Sequence, residues 1–490
     1  MRDTSLHELR EMLRSGRAGL CVDSRRIRPG DVFVAVPGSR VDGGRFSLQA
    51  MQAGAAAVVG RTRPDAPPSA AGEEILFAAS DDPARDLGLL AQALYGTDSL
   101  PFPVTGVTGT NGKTTVTYLL GHLFEAAGKK TGVIGTVSYR WPGHEEDAPL
   151  TTPDTLRIHA MLAAMREAGV QAAFMEASSH ALDQRRTAGI PFSGCVFTNL
   201  TQDHLDYHQD MEHYFAAKAR LFHEQANGIM AVNAGDAWGR RLLAGLRGAI
   251  AYGLKNKMPE QAGAALTGEI LGNTPEGLHL SLSWGKRQWS IRSPLIGAYN
   301  AENLLAALAV GLGSGFSPEQ LDRFRDFCGV PGRLERVPAR FRGQDVHVFV
   351  DYAHTPDALI NVLGTLREVG FSRLITVFGC GGDRDRSKRP LMGEAAARLS
   401  DVAVLTSDNP RHEDPLAIMA DVMPGLKQGA QVDIRAEPDR RKAIELALSL
   451  ARPGDVVLIA GKGHERTQQI GDCKHPFSDQ SVVRELAPCA

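Results

Sequence analysis

The residues best placed for chemistry form two sets. The first begins with Gly109-Thr110-Asn111-Gly112-Lys113-Thr114-Thr115, which follows the apolar run 104–108. After it, Val116, Leu119, Leu120, Leu123, Phe124 and Ala127 recur with helical period. A strand, a glycine loop, Lys-Thr and a helix make a phosphate cradle, with backbone N–H groups and the helix N-terminus facing the anion. Lys113 would reach the β- and γ-phosphates, and Thr114 would offer its hydroxyl to magnesium. The strict spacing wants glycine where Val107 stands, and Gly106 lies one residue early. The strand–loop–helix context therefore carries the nucleotide reading. A phosphoryl-transfer site also needs acids. Glu176 ends the apolar run 172–175, where a carboxylate can face the loop from a neighbouring strand. His204 lies in Asp203-His204-Leu205-Asp206-Tyr207-His208, and Lys218 on a predicted helix over 212–222. Taken singly, His204 reads as a hydrogen-bonded loop residue and Lys218 as a solvated helix position.

The second set lies in the last third of the chain. Apolar runs at 346–350, 374–378, 402–406 and 456–460 are each followed by a polar cluster. The clusters are Asp351-Tyr352-Ala353-His354, Gly379-Cys380-Gly381-Gly382-Asp383-Arg384, Asp408-Asn409-Pro410-Arg411 and Gly461-Lys462-Gly463-His464-Glu465. Buried strands alternating with helical stretches imply a parallel sheet, and ligands bind outside the carboxyl ends of such strands.

The elements around these sets suggest three domains in 490 residues. Residues 1–99 form the first, with strands at 32–36 and 56–60, a helix at 46–53, and a surface loop at 61–71. Asp23-Ser24-Arg25 there reads as a turn or helix cap. Residues 100–331 hold the phosphate loop, further strands at 172–175, 195–198 and 228–232, a turn at 233–236, and hairpins between 261 and 290. Residues 332–490 carry the second set. The expected class is α/β: a smaller N-terminal α/β domain, a central P-loop domain with a mostly parallel sheet, and a doubly wound, Rossmann-like C-terminal domain.

A formal net charge of -2 gives no bulk attraction to nucleic acid or an anionic membrane. No run reaches the ~18–20 apolar residues of a membrane span. Residues 1–13 lack the apolar stretch of a signal peptide. The six cysteines are scattered without a CxxC pair, which fits a reducing cytoplasm and gives no zinc or redox motif. We expect a cytoplasmic monomer without nucleic-acid or membrane partners.

Together, residues 109–115, Glu176-Ala177-Ser178-Ser179-His180, Thr198-Asn199-Leu200 with 203–206, Asn300 and Asn303, 351–354 and 461–465 occur in an order that resembles the Mur ligases. These are ATP-dependent, amide-forming enzymes of peptidoglycan synthesis, and the resemblance spans essentially the whole chain. It implies ATP at Gly109, Thr110, Asn111, Gly112, Lys113, Thr114 and Thr115, completed by Asn300, Arg333 and Asp351 on domain closure. It implies two magnesium ions near Thr114, Glu176, His204 and Lys218, the last as a carbamate formed with carbon dioxide. Ser24, Thr151, Thr152, Ser178, Gln184 and Arg186 match contacts to a UDP-muramoyl-dipeptide. Thr151-Thr152-Pro153 reads equally as a helix start with proline near its first turn. The loop Ser39-Arg40-Val41 aligns with a uridine-side contact.

The same resemblance places Arg384, Asp408, Asn409, Pro410, Arg411, Gly461 and Glu465 around an incoming meso-diaminopimelate. Its distal end carries an ammonium and a carboxylate. Arg411, after a loop-restricting proline, suits the carboxylate, because a guanidinium grips it with two parallel bonds. Arg384 can hold a carboxylate and Glu465 an ammonium. The implied reaction runs through an acyl phosphate on the D-glutamate γ-carboxylate of the muramoyl dipeptide. His354 is a candidate acceptor for the amine proton. Three rivals are a lysine-adding ligase of the same family, a folylpolyglutamate synthase, and a non-catalytic P-loop protein. The N-terminal domain speaks against the second, and Glu176, His204 and Lys218 in one chain against the third.

Overall fold

A computed structural model describes residues 1–38, 41–65, 74–258, 265–429 and 431–488. Ser39 and Arg40 of the uridine-side loop, part of the 61–71 loop and the start of the 261–290 segment lie outside the described residues. The chain clusters into two compact units, one of residues 1–267 with 303–321 and one of residues 268–302 with 322–490.

The first unit contains two sheets. Its N-terminal sheet is five-stranded and parallel, with Arg2–Asp3, Leu76–Ala79, Ala57–Gly60, Val32–Val34 and Leu20–Cys21 in that spatial order. The expected strands are present, each one or two residues shorter than the apolar runs suggest. The helix expected at 46–53 is Ser47–Gln52, preceded by a 3-10 turn at Gly43–Phe46. Asp23 caps another 3-10 turn, Ser24–Arg26, with its carboxylate accepting from the Arg25 N–H.

The larger sheet of this unit runs Ile250–Leu254, Ala226–Asn233, Phe192–Phe197, Val104–Thr108, Ala172–Glu176 and Thr131–Ile134, all parallel. Two antiparallel strands, Ser138–Trp141 and His144–Asp147, extend its edge. The phosphate-loop strand is thus interior, and all five of its residues are buried. Such strands are covered on both faces, so they read as unbroken apolar runs. The helix Lys113–Ala126 buries Val116, Leu119, Leu120 and Leu123 completely, and Phe124 meets Phe174 edge-on at 5.1 Å.

In the second unit, Gly277–Trp284 and Arg287–Ser293 pair antiparallel, as the alternation of Leu278, Leu280 and Leu282 predicts. The C-terminal sheet has six strands in the order Glu335–Phe341, Gln344–Asp351, Val456–Ala460, Leu374–Phe378, Val402–Leu405 and Asp433–Ala436. Only the first is antiparallel. All four polar clusters therefore leave the carboxyl edge of one sheet. A short ribbon, Thr467–Ile470 with Cys473–Pro476, follows the last of them. Among the described residues, no helix is long and apolar enough to cross a membrane.

Candidate active site

The phosphate loop is shaped by close approach. Gly112 has φ +86°, and a Cβ there would lie 2.3 Å from Asn303 Oδ1; at Gly109, φ +145°, it would lie 1.9 Å from Thr198 Oγ1. Only glycine fits both positions. Thr198 and Asn199 brace the loop from the neighbouring strand end. Thr198 Oγ1 donates to Asn111 O at 2.6 Å, and the Asn111 N–H donates to Asn199 Oδ1 at 3.0 Å. Lys113 Nζ folds back onto the carbonyls of Gly109 and Thr110, each at 2.8 Å.

Glu176 is fully buried at the end of its strand. Its Oε2 accepts from Thr114 Oγ1 and from Thr136 Oγ1, each at 3.0 Å, and its Oε1 accepts from the Thr136 N–H at 2.7 Å. Thr136 carries the network on, because its Oγ1 lies 3.1 Å from Thr151 Oγ1. Thr152 Oγ1 donates to the Glu176 carbonyl at 2.8 Å and accepts from the Ser178 N–H at 3.0 Å. Arg186 Nη1 donates to Thr152 O, and its Nε and Nη2 grip Gln184 Oε1. The structure thus brings Thr151, Thr152, Ser178, Gln184 and Arg186 together and ties them to the phosphate loop. The alternative reading of Thr151-Thr152-Pro153 as a helix start does not hold. The helix is Thr155–Glu167 with Asp154 as its cap, which leaves both threonines in a loop. Ser24 stands apart, buried and bonded to Gln49.

Lys218 is not a solvated helix position. It lies on the helix Met211–Arg220, is 1% exposed, and donates to Gly109 O at 2.8 Å. Burial, then the charge of Lys113, pushes its ammonium pKa well below the usual lysine value; Asp203 opposes this weakly. Its Nζ also sits 4.6 Å from the centre of the Tyr214 ring, and the Tyr214 hydroxyl lies 3.1 Å from Thr110 Oγ1. Tyr214 and Thr136 escaped the sequence reading. Tyr214 stands four residues before Lys218, a helical neighbour that spacing alone exposes; nothing in the sequence marks Thr136. His204 is half-exposed in a left-handed conformation, φ +53°. Its ring meets His180 edge-on at 4.9 Å and stands 3.4 Å from Asp203.

Asn300, Arg333 and Asp351 belong to the second unit. Asn300 is buried and donates to Ile296 O at 2.9 Å. Both Asp351 oxygens accept backbone N–H groups, from Leu334 at 2.7 Å and Ala353 at 2.8 Å. Burial raises its carboxyl pKa, while Arg333 and those two bonds oppose the shift. The Arg333 guanidinium lies 5.4 Å over the Tyr352 ring. His354 is exposed, with Nδ1 2.7 Å from Tyr352 O. A carbonyl only accepts, so Nδ1 carries the proton and Nε2 is the basic nitrogen.

At the carboxyl edge of the C-terminal sheet, Arg411 is half-buried. Its φ is +51°, and its Nη1 donates to Gly382 O at 2.7 Å. Its backbone is fixed to the ribbon, with its N–H on Gln469 O and its carbonyl accepting from the Gly471 N–H. Pro410 is buried beside it, and the Pro410 carbonyl leaves no room for a Cβ at Gly382. Asn409 Nδ2 donates to Glu465 Oε2 at 2.9 Å. Asp408 Oδ2 approaches Gly461 so closely that a Cβ there would lie 2.7 Å away. Arg384 is exposed on the adjoining loop, and a Cβ on Gly381 would lie between it and Arg411.

Comparison with known proteins matches three stretches of the chain. Residues 107–311 match the Mur ligase middle domain, 332–463 the Mur ligase glutamate ligase domain, and 18–91 the Mur ligase family catalytic domain. The chain belongs to the Mur ligase family, and so to the ATP-dependent, ADP-forming amide ligases. It is 56% identical over 478 residues to the UDP-N-acetylmuramoyl-L-alanyl-D-glutamate--2,6-diaminopimelate ligase of Lawsonia intracellularis, with 96% of each chain covered. It is 46% identical to the ligase of the same name from Synechococcus elongatus, covering 95% of this chain and 93% of the relative. A solved structure of a UDP-N-acetylmuramoyl-L-alanyl-D-glutamate--2,6-diaminopimelate ligase matches with a TM-score of 0.71 and 34% identity, covering 96% of this chain and 94% of that one.

Proposed function

We propose that this chain joins meso-diaminopimelate to the D-glutamate γ-carboxylate of UDP-MurNAc-L-Ala-D-Glu, with ATP converted to ADP and phosphate. The observation that carries the choice of amine is Arg411. Its Nη1 is occupied by Gly382 O, while Nη2 makes no hydrogen bond among the described residues. A guanidinium so held presents its free side to a carboxylate, which lysine lacks at its distal end. The names of the close relatives point the same way.

In this reading the γ-carboxylate attacks the γ-phosphorus of ATP, ADP leaves, and an acyl phosphate remains. The amine then attacks the acyl carbon, phosphate leaves, and the amine proton passes to Nε2 of His354. Lys113 exchanges the Gly109 and Thr110 carbonyls for the β- and γ-phosphates, and the amides of 109–115 offset the spreading charge. Thr152, Ser178, Gln184 and Arg186 orient the dipeptide, with Thr151 and Ser24 toward the rest of the nucleotide-sugar. We also assign Asn300, Arg333 and Asp351 to the binding of ATP. We place the domain boundaries at 99/100 and 331/332.

The oxygens of Thr114 and Glu176, in contact at a helix N-terminus, fit a hard cation. Among the described residues no group of three His, Cys, Asp or Glu side chains is gathered for a metal. That composition suits magnesium, which relies on one or two carboxylates plus phosphates. Thr114, Glu176, His204 and Lys218 as a carbamate would hold two such ions, whose charge would stabilise the transferring phosphoryl group. Lys218 fits only once modified: its uncharged amine adds to the carbon of carbon dioxide, loses a proton, and becomes an anionic oxygen donor. We place the reaction in the cytoplasm, with a monomeric enzyme; the free thiols of the five described cysteines are in keeping with a reducing compartment.

The test supplies ATP and the UDP-muramoyl-dipeptide and measures phosphate release with meso-diaminopimelate, lysine, glutamate or no amine. Release with meso-diaminopimelate alone is expected. Release with lysine alone overturns the assignment, and release with none supports a binding role.

A further inference from the structure

Beneath the amino-acid loops lies a lysine that the mechanism does not use. Lys462 is fully buried, yet its Nζ is only 2.9 Å from Glu465 Oε2, 3.0 Å from Asn409 Oδ1 and 3.7 Å from Asp408 Oδ1. All three partners are residues assigned above to the incoming amino acid. Lys462 itself has no exposed surface with which to touch it.

We propose that Lys462 is a positioning residue for amine recognition, holding Asn409 and Glu465 in the orientation that receives the amine. This rests on the reading of the 408–411 and 461–465 loops as the amino-acid site.

The geometry assigns each atom a role. Asn409 Oδ1 accepts from Lys462 Nζ and from the Gln469 N–H at 2.9 Å, so its amide is held in one orientation. That orientation turns Nδ2 toward Glu465 Oε2, which also accepts from Lys462. Glu465 Oε2 is thereby saturated, and Oε1 is left for a substrate ammonium. The second effect is electrostatic. Burial alone would raise the Glu465 carboxyl pKa, but Lys462, with the bond from Asn409, holds it below the usual glutamate value. Asp408 goes the other way, raised by burial despite Arg440 and Lys462. Lys462 is the one lysine shared by the Asp408, Asn409 and Glu465 side chains. A mere core lysine would instead be paired within the core. That arrangement exists in Arg440 and Asp479, both buried, which form a two-bond pair.

The experiment compares the parent with Lys462→Met in the full ligase assay, between pH 6 and 8. The expected result is a rise of ~10-fold or more in KM for meso-diaminopimelate, with kcat and the KM values for ATP and the UDP-muramoyl-dipeptide within about threefold of the parent. Without its counter-charge Glu465 takes up a proton more readily, so the variant's KM should fall as pH rises while the parent's changes little. Glu465→Gln should mask the effect, the double variant being no worse than Glu465→Gln alone. A KM for meso-diaminopimelate within twofold of the parent, a loss shared by all three substrates, or additive losses in the double variant overturns the proposal. If Lys462→Met does not fold, Lys462→Met/Asp408→Asn, which removes one charge of each sign, is compared with Asp408→Asn alone by the same criteria. Parent enzyme that releases no phosphate with meso-diaminopimelate refutes the functional reading instead.

Discussion

Lys113 and Lys218 converge on one acceptor: each Nζ lies 2.8 Å from the carbonyl oxygen of Gly109. Two ammonium groups on one carbonyl repel, and burial, then the charge of Lys113, lowers the pKa of the enclosed Lys218 well below the usual lysine value. An uncharged amine is the form that reacts with carbon dioxide, so the lowered pKa supports the carbamate proposed for Lys218.

Lys218→Ala should therefore lower turnover by ~100-fold or more, with partial rescue by short-chain carboxylates. Thorough removal of carbon dioxide from the parent should lower its turnover reversibly. Phosphate release is the readout, and an unchanged rate in the variant removes Lys218 from the mechanism.

Glu176→Gln keeps the shape of the carboxylate that joins Thr114 to Thr136 but removes its charge. Its oxygen can still accept from the Thr136 N–H, and its amide can donate to the two hydroxyls. Thermal stability should change little, while turnover should fall by ~100-fold or more. Melting temperature and phosphate release separate the two effects. A large loss of stability with turnover retained in the folded fraction assigns Glu176 to structure alone.

His159 should set part of the acid limb of stability. It is buried, with Nδ1 2.6 Å from Thr97 Oγ1 and Nε2 3.0 Å from Ala188 O, so Nε2 carries the single proton. Burial lowers its pKa to about 4, opposed by the bond to Ala188. The unfolded chain binds a proton near 6.5 and the folded chain does not, so stability rises with pH across this window. The contribution is present above about pH 6.5 and is lost progressively down to pH 4, up to ~3 kcal/mol. Urea unfolding between pH 7 and pH 4 should show a shallower acid limb in His159→Gln. An identical limb in both proteins contradicts this.

Asp479→Asn should destabilise the C-terminal sheet by ~3–5 kcal/mol, because it removes the charge of the carboxylate that accepts two hydrogen bonds from the buried Arg440 guanidinium. Arg440 also holds the Ala460 carbonyl at 3.0 Å, just before Gly461. A melting temperature close to the parent's shows that the pair is not needed.

The strands that carry the site were legible because they are buried on both faces. Val104–Thr108, Leu374–Phe378 and Val456–Ala460 occupy the bounds of their apolar runs. Two-residue edge strands such as Arg2–Asp3 and Leu20–Cys21 carry no pattern, since pairing partners far along the chain create them. The glycine loop was legible from its residue types. The bridge from Glu176 through Thr136 to Thr151 was not, because a hydroxyl leaves no trace in periodicity. The burial of Lys218 was equally hidden: its helix was read correctly, but which face meets the phosphate loop is decided by sheet order.

The most direct test of the account is the ratio of kcat/KM for meso-diaminopimelate to that for L-lysine, in the parent and in Arg411→Ala. The parent should strongly prefer meso-diaminopimelate. That preference should fall by ~100-fold or more in the variant, through a raised KM for meso-diaminopimelate. A ratio that is the same in both proteins contradicts it.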